Sequence, residues 1–118
     1  MKTDIKKLGD TIIVSMQGKL DFETAIPLRE NLGKISKQNR TDSVPKKIII
    51  DLENLEFVGS SGISSFIQTL REFNATEAIK PRYCNVKNEF QKVIRAFDEE
   101  ELFEFHDTQD KARRSFDQ

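Results

Sequence analysis

Ile48-Ile49-Ile50-Asp51-Leu52-Glu53-Asn54-Leu55-Glu56-Phe57-Val58-Gly59-Ser60-Ser61-Gly62-Ile63 is the stretch whose reading decides the fold. It opens as a continuous β-branched apolar run, the pattern of a strand buried on both faces. A polar connection follows and ends in Gly-Ser-Ser-Gly. From Ile63 the period changes: Ile63, Phe66, Ile67, Leu70 and Phe73 recur at threes and fours, one face of a helix. A buried strand, a turn carrying paired serines and an amphipathic helix together form a site-presenting unit. Ser60 and Ser61 fall where a helix leaves its first N–H groups unpaired.

Working outward, the chain alternates strand and helix patterns. Asp10 to Gly18 reads as a strand, with a short partner near Ile5 to Leu8 and Gly9-Asp10 as the hairpin turn. Gly18-Lys19-Leu20-Asp21 closes that strand in a loop. Ala25, Leu28, Leu32 and Ile35 mark a helix from about Thr24, with Pro27 tolerated in its first turn. Ser36 to Lys46 is polar, contains Pro45 and reads as a surface loop. Asn74 to Lys80 reads as a polar connection and Pro81 to Cys84 as a short strand. Asn85 is the expected N-cap of a helix carrying Val86, Phe90, Val93, Ile94 and Phe97. Asp98 to Glu101 reads as an acidic loop, Leu102 to Phe105 as an edge strand, and Asp107 as the cap of a last helix in which Ala112 and Phe116 lie four apart. The order β-β-α-β-α-β-α-β-α predicts an α/β fold with a mainly parallel sheet.

The whole chain narrows the function classes. Its 118 residues suit a single domain, residues 1–118, with its own core. The net charge of −1 offers no bulk attraction to nucleic acid or acidic lipid. Cys84 is the sole cysteine, which excludes an internal disulfide and argues against a thiolate metal cage. No carboxylate or histidine cluster has metal-ligand spacing. Met1 to Lys7 lacks the apolar core of a signal peptide, and no apolar run approaches the ~20 residues that span a bilayer. A cytoplasmic protein with no cofactor, no metal and no membrane insertion is expected.

The serines have several readings. One of them caps the helix, its hydroxyl accepting from a first-turn N–H. Gly59 and Gly62 flank them without bulk and let another macromolecule approach the backbone. A catalytic serine is poorly supported: the motif is not Gly-x-Ser-x-Gly, and the only histidine, His106, shows no orienting partner. A phosphate-cradling loop would need a lysine after Gly62. A phosphorylated serine fits better. It would place roughly −1.5 to −2 charge at a helix N-terminus, where the dipole favours it, and a partner packed over the turn would meet a large hydrated anion. Asp51, Glu53 and Glu56, with no base among them, predict an acidic surface leading to the serines. Cys84 reads as a small core residue, and His106 as a loop or strand-end residue. Asn39-Arg40-Thr41 and Asn74-Ala75-Thr76 match the glycosylation pattern but carry no meaning without a secretory signal.

Taken together, Gly18-Lys19-Leu20-Asp21, Ile49-Ile50-Asp51-Leu52 and Phe57-Val58-Gly59-Ser60-Ser61-Gly62-Ile63 resemble the STAS domain of anti-sigma factor antagonists. The resemblance extends to Asn85-Val86 and Asp107 and so covers nearly the whole chain. It implies a mixed, mainly parallel sheet of four to five strands covered by about four helices, mostly on one face, with no catalytic activity. It also implies that the serine opening the second helix, Ser60, is phosphorylated by a partner anti-sigma factor that is itself a serine kinase. The unphosphorylated form binds that partner and frees a sigma factor, and a serine phosphatase resets the switch. Asp21, Gly59, Ser61 and Gly62 would form the docking surface around Ser60, and weak self-association is compatible with the resemblance. Many family members carry an aspartate where this chain has Gly59, which removes a charge and an acceptor from that surface. The family also contains constitutive subunits of signalling and transport assemblies, and that is the alternative expectation.

Overall fold

The computed structural model describes residues 2–20, 23, 25–41, 46–57, 63–77, 79–97 and 103–117. Five strands and four helices follow one another in the expected order. They are β1 (Lys2–Leu8), β2 (Thr11–Leu20), α1 (Ala25–Thr41), β3 (Lys47–Phe57), α2 (Ile63–Thr76), β4 (Arg82–Cys84), α3 (Asn88–Phe97), β5 (Glu104–His106) and α4 (Gln109–Ser115). The sheet order is β1-β2-β3-β4-β5. Only β1 and β2 are antiparallel, joined through Gly9-Asp10 with Gly9 at φ +61°, a conformation that favours glycine. The pairs β2–β3, β3–β4 and β4–β5 are parallel, as strands separated by helices must be when each crossover returns the chain to the same end.

The two faces of the sheet are covered unequally. Leu28, Leu32 and Ile35 of α1, Phe66, Ile67, Leu70 and Phe73 of α2, and Phe90 and Ile94 of α3 close over Ile12, Val14, Met16, Ile48, Ile50, Leu52 and Tyr83. On the opposite face, among the described residues, α4 packs, with Ala112 and Phe116 against Ile13, Ile49 and Cys84. Alternation explains the division: Ile48 and Ile50 face the large core and Ile49 the small one, so the apolar run is indeed buried on both sides.

Several boundaries differ from the sequence reading, each for a physical reason. β2 continues through Gly18, at φ +100°, to Leu20. The connection after Asp51 is strand rather than loop, because Leu55 is buried and pairs beside Gly18. Asn85 does not cap α3. It sits at φ +56° and gives its side chain to Asp51. The cap of α4 is Thr108, whose hydroxyl accepts from Lys111 N–H, and not Asp107. The predicted acidic loop at Asp98 to Glu101 lies outside the described residues.

The largest correction concerns Ser36 to Lys46. Here α1 continues to Thr41, and Ser36 and Asn39 are buried, at 6% and 4% exposed. Both are satisfied by distant partners. Ser36 Oγ donates to Glu77 Oε1 at 2.9 Å, and Asn39 Nδ2 donates to Glu77 Oε2 at 2.8 Å. The Asn39 carboxamide oxygen accepts from Lys46 N–H at 2.7 Å. This clamp ties the end of α1 to the end of α2 and to the start of β3. Burial of Asn39, and of Asn74 against the Tyr83 hydroxyl at 2.7 Å, also closes both glycosylation-like sequences to modification in the folded chain. Asn39→Ala strips Lys46 N–H and Glu77 of partners, and is expected to cost about 1–3 kcal/mol. The check is a lower urea midpoint with an unchanged m-value.

Candidate partner-binding edge

Asp21, Gly59, Ser60, Ser61 and Gly62 all lie outside the described residues. The elements that precede and follow them are described. Leu20 and Phe57 are register partners, so β2 and β3 end side by side at the carboxyl edge of the parallel sheet. In sequence, Asp21 follows the first directly, and Ser60 lies three residues beyond the second and three before Ile63, where α2 begins. The carboxyl edge of a parallel sheet is where α/β proteins place ligand and partner sites.

Beside this edge lies a cleft of about 510 Å³. Its floor is Leu52, Leu55, Ile63, Phe90 and Val93, and its rim carries Glu56, Glu89 and Lys87. Glu53 and Glu56 are exposed, which agrees with an acidic approach to the serines. Asp51 departs from that expectation, because at 6% exposed it adds nothing to the surface.

Asp51 instead organises the backbone leading to the edge. β2 and β3 lose register between Ser15 and Gln17: Met16 stands opposite both Leu52 and Glu53, a β-bulge in β3. The extra residue re-phases the strand, so that Leu52 and Leu55, three apart, both enter the large core. Glu53 N–H donates to Asp51 Oδ1 at 2.9 Å. Asp51 Oδ2 accepts from Asn85 Nδ2 at 3.2 Å and from Gln109 Nε2 at 2.6 Å. A buried carboxylate held by three donors is satisfied without a cation. Sequence reading placed Asp51 on the surface, because neither Asn85 nor Gln109 is near it along the chain.

Cys84 and His106 follow Asp51 across the sheet as register partners. No catalytic relay results. Both Asp51 oxygens are engaged elsewhere, and His106 Nε2 is buried with no hydrogen-bond partner among the described residues. Burial, aided by the charges of Asp51 and Glu53, pushes the Cys84 thiol up to about 12. At pH 8 only about one thiol in ten thousand is then ionised. Native protein is therefore expected to resist iodoacetamide, with one equivalent reacting after denaturation, as read by intact mass. Among the described residues, no group of three or more His, Cys, Asp or Glu is placed to hold a metal ion. No helix among them is long and apolar enough to cross a membrane.

The sequence profile of the STAS domain matches residues 2–112. The chain belongs to the STAS domain family. Solved structures with the same fold include an anti-sigma factor antagonist from Mycobacterium paratuberculosis, 20% identical, covering 99% of this chain and 94% of that one at a TM-score of 0.74. The Bacillus cell fate determinant SpoIIAA, in its phosphorylated form, is 20% identical over 98% of this STAS domain and 99% of its own chain, at a TM-score of 0.64. The murine anion transporter Slc26a9 is 16% identical, with a TM-score of 0.69; the match covers 93% of this STAS domain and 18% of the transporter chain. The five-stranded sheet with four helices is thus the STAS architecture that the sequence resemblance implied.

Proposed function

We propose that this STAS domain is a cytoplasmic, phosphorylation-switched anti-sigma factor antagonist and has no catalytic activity of its own. Unphosphorylated at Ser60, it binds an anti-sigma factor with serine kinase activity and so releases a sigma factor for transcription. Phosphorylation at Ser60 ends the contact, and a serine phosphatase restores it. The observation that carries this reading is the pairing of Leu20 with Phe57. It ends two parallel strands together, immediately before the segments that hold Asp21 and Ser60. The neighbouring cleft has an apolar floor suited to a protein partner, and the described residues of its rim include two carboxylates and one lysine. Phosphate added to such an edge meets negative charge, and a docked partner would have to desolvate it.

A second reading is a constitutive subunit of a signalling or transport assembly. It is supported by the likeness to Slc26a9, in which the matching region is a small part of a much longer chain. One experiment separates the two. A native pull-down from the cell of origin, read by mass spectrometry, should recover a kinase-type partner and find phosphate on Ser60 in the unbound pool. Recovery within a stoichiometric assembly with no phosphate on Ser60 would select the second reading.

A further inference from the structure

β1 forms an open edge of the sheet. The order β1-β2-β3-β4-β5 leaves its outer side without a strand among the described residues. Beyond β2, no described element makes more than marginal contact with it. Every residue from Asp4 to Leu8 is exposed, including two large apolar side chains, Ile5 at 49% and Leu8 at 42%. Ile5 is the register partner of Val14, which is fully buried in the large core. The core face of the sheet therefore continues past β2 and ends in solvent at Ile5. A strand with free backbone groups and such a side chain is a template for a further strand.

The backbone fixes which residues face the open side. Lys47 N–H donates to Asp10 C=O at 2.9 Å, so that carbonyl points toward β3. Carbonyl direction alternates along a strand, so Thr11 turns its own N–H and C=O to β1, where its register partner is Leu8. By the same alternation Lys2, Asp4, Lys6 and Leu8 spend their backbone groups on β2. Thr3, Ile5 and Lys7 present theirs outward.

We infer that the occupant of this edge is a second copy of the same chain, paired antiparallel through β1 about a two-fold axis at Ile5. In that register the outward groups of Thr3, Ile5 and Lys7 meet those of the partner's Lys7, the partner's Ile5 and the partner's Thr3. Asp4 stands opposite the partner's Lys6, and Lys6 opposite the partner's Asp4. Both are the closer, non-hydrogen-bonded type of pair, in which opposite charges are favourable. Within one chain, neither Asp4 nor Lys6 has an ion-pair partner among the described residues. Ile5 packs on its own copy, and the stem of Lys2 lies along the partner's Leu8. Charge selects this register over the others. Centring on Asp4, Lys6 or Lys7 sets identical charges face to face on the axis, and centring on Thr3 leaves Lys6 to Leu8 unpaired. Lysines on an edge strand guard it against unspecific pairing; here they admit one arrangement. The contact is isologous and closes as a dimer. The carboxyl ends of β2 and β3 then lie at opposite ends of the joined sheet in the two copies, so the pairing stands apart from the Ser60 reading.

An interface of this size belongs to the weak class, with a dissociation constant expected on the order of 10–100 µM. Sedimentation velocity on the full chain, from about 1 µM to about 1 mM, should show a monomer giving way to a dimer. Ile5→Lys places like charges on the axis and should abolish the dimer over that range. Asp4→Lys and Lys6→Asp should each weaken it at least about tenfold, because each sets two like-charge pairs across the interface. Mixed in equal amounts, these two single variants should associate within about threefold of wild type, since every facing pair at positions 4 and 6 is again of opposite sign. All three altered positions are exposed in the monomer, and association of the mixture itself shows that both charge variants are folded. A monomer throughout the range overturns the proposal. A dimer untouched by Ile5→Lys and by the single charge changes lies on another face and overturns it as well. A mixture that associates no better than its components rules out the register centred on Ile5.

Discussion

Ser60→Asp is expected to bind the native partner at least about tenfold more weakly than wild type, a loss of about 1.4 kcal/mol or more. Ser60→Ala should bind as wild type does and stay bound under phosphorylating conditions. The difference follows from charge and hydration. Serine and alanine are small and neutral, whereas aspartate brings a carboxylate that must be desolvated when a partner closes over it. The described residues that precede position 60 along the chain offer little compensation: Glu53 and Glu56 are exposed, and among the described residues lining the cleft Lys87 is the one cation, beside Glu56 and Glu89. Ser61→Asp provides the contrast, because the family resemblance assigns the switch to Ser60 and not to its neighbour. Titration calorimetry with the partner from the pull-down would measure all three. Equal affinity for Ser60→Asp and wild type would sink the electrostatic switch.

Phe66→Ala should be the most damaging of the simple core truncations. Phe66 is fully buried on the inner face of α2 and stacks on Phe90 of α3, with ring centroids 5.8 Å apart. It thereby links the helix that follows Ser60 to the wall of the cleft. Truncation removes the transfer energy of the ring and leaves a cavity between two helices that cannot fully collapse, a loss of about 3–5 kcal/mol. For a chain of this size that corresponds to a drop in melting temperature on the order of 10–20 °C. Phe97→Ala is the control: at 46% exposed, its removal should change stability by no more than about 0.5 kcal/mol. Calorimetric melts of the two variants would decide the matter, and similar midpoints would refute the packing described for α2.

Much of the fold was legible before any coordinates. The triple isoleucine of β3, the three-and-four spacing from Ile63 to Phe73 and the Gly9-Asp10 turn each report a local preference, and each element appears where its pattern lies. The candidate edge was legible as a motif, by its order along the chain, and the structure supplies the strand ends and the cleft beside it. Polar residues were the consistent difficulty. Ser36 and Asn39 look like loop residues until Glu77 is brought beneath them. Asp51 looks like surface charge until Gln109, 58 residues away, donates to it. Asn85 looks like a helix cap until its side chain turns to the same carboxylate.

By itself, then, the sequence determined the number, type and order of the elements, because hydrophobic period and turn chemistry act between residues a few positions apart. It also marked the paired serines, and through the family resemblance Ser60, as the place on which a functional reading would turn. Only the tertiary structure decided which polar groups could be buried, where β3 changes phase, and that α4 packs on the second face of the sheet. Those outcomes depend on desolvation. A buried carboxylate or amide is stable only if partners from distant parts of the chain replace its water, and local sequence carries no record of which partners the fold will deliver.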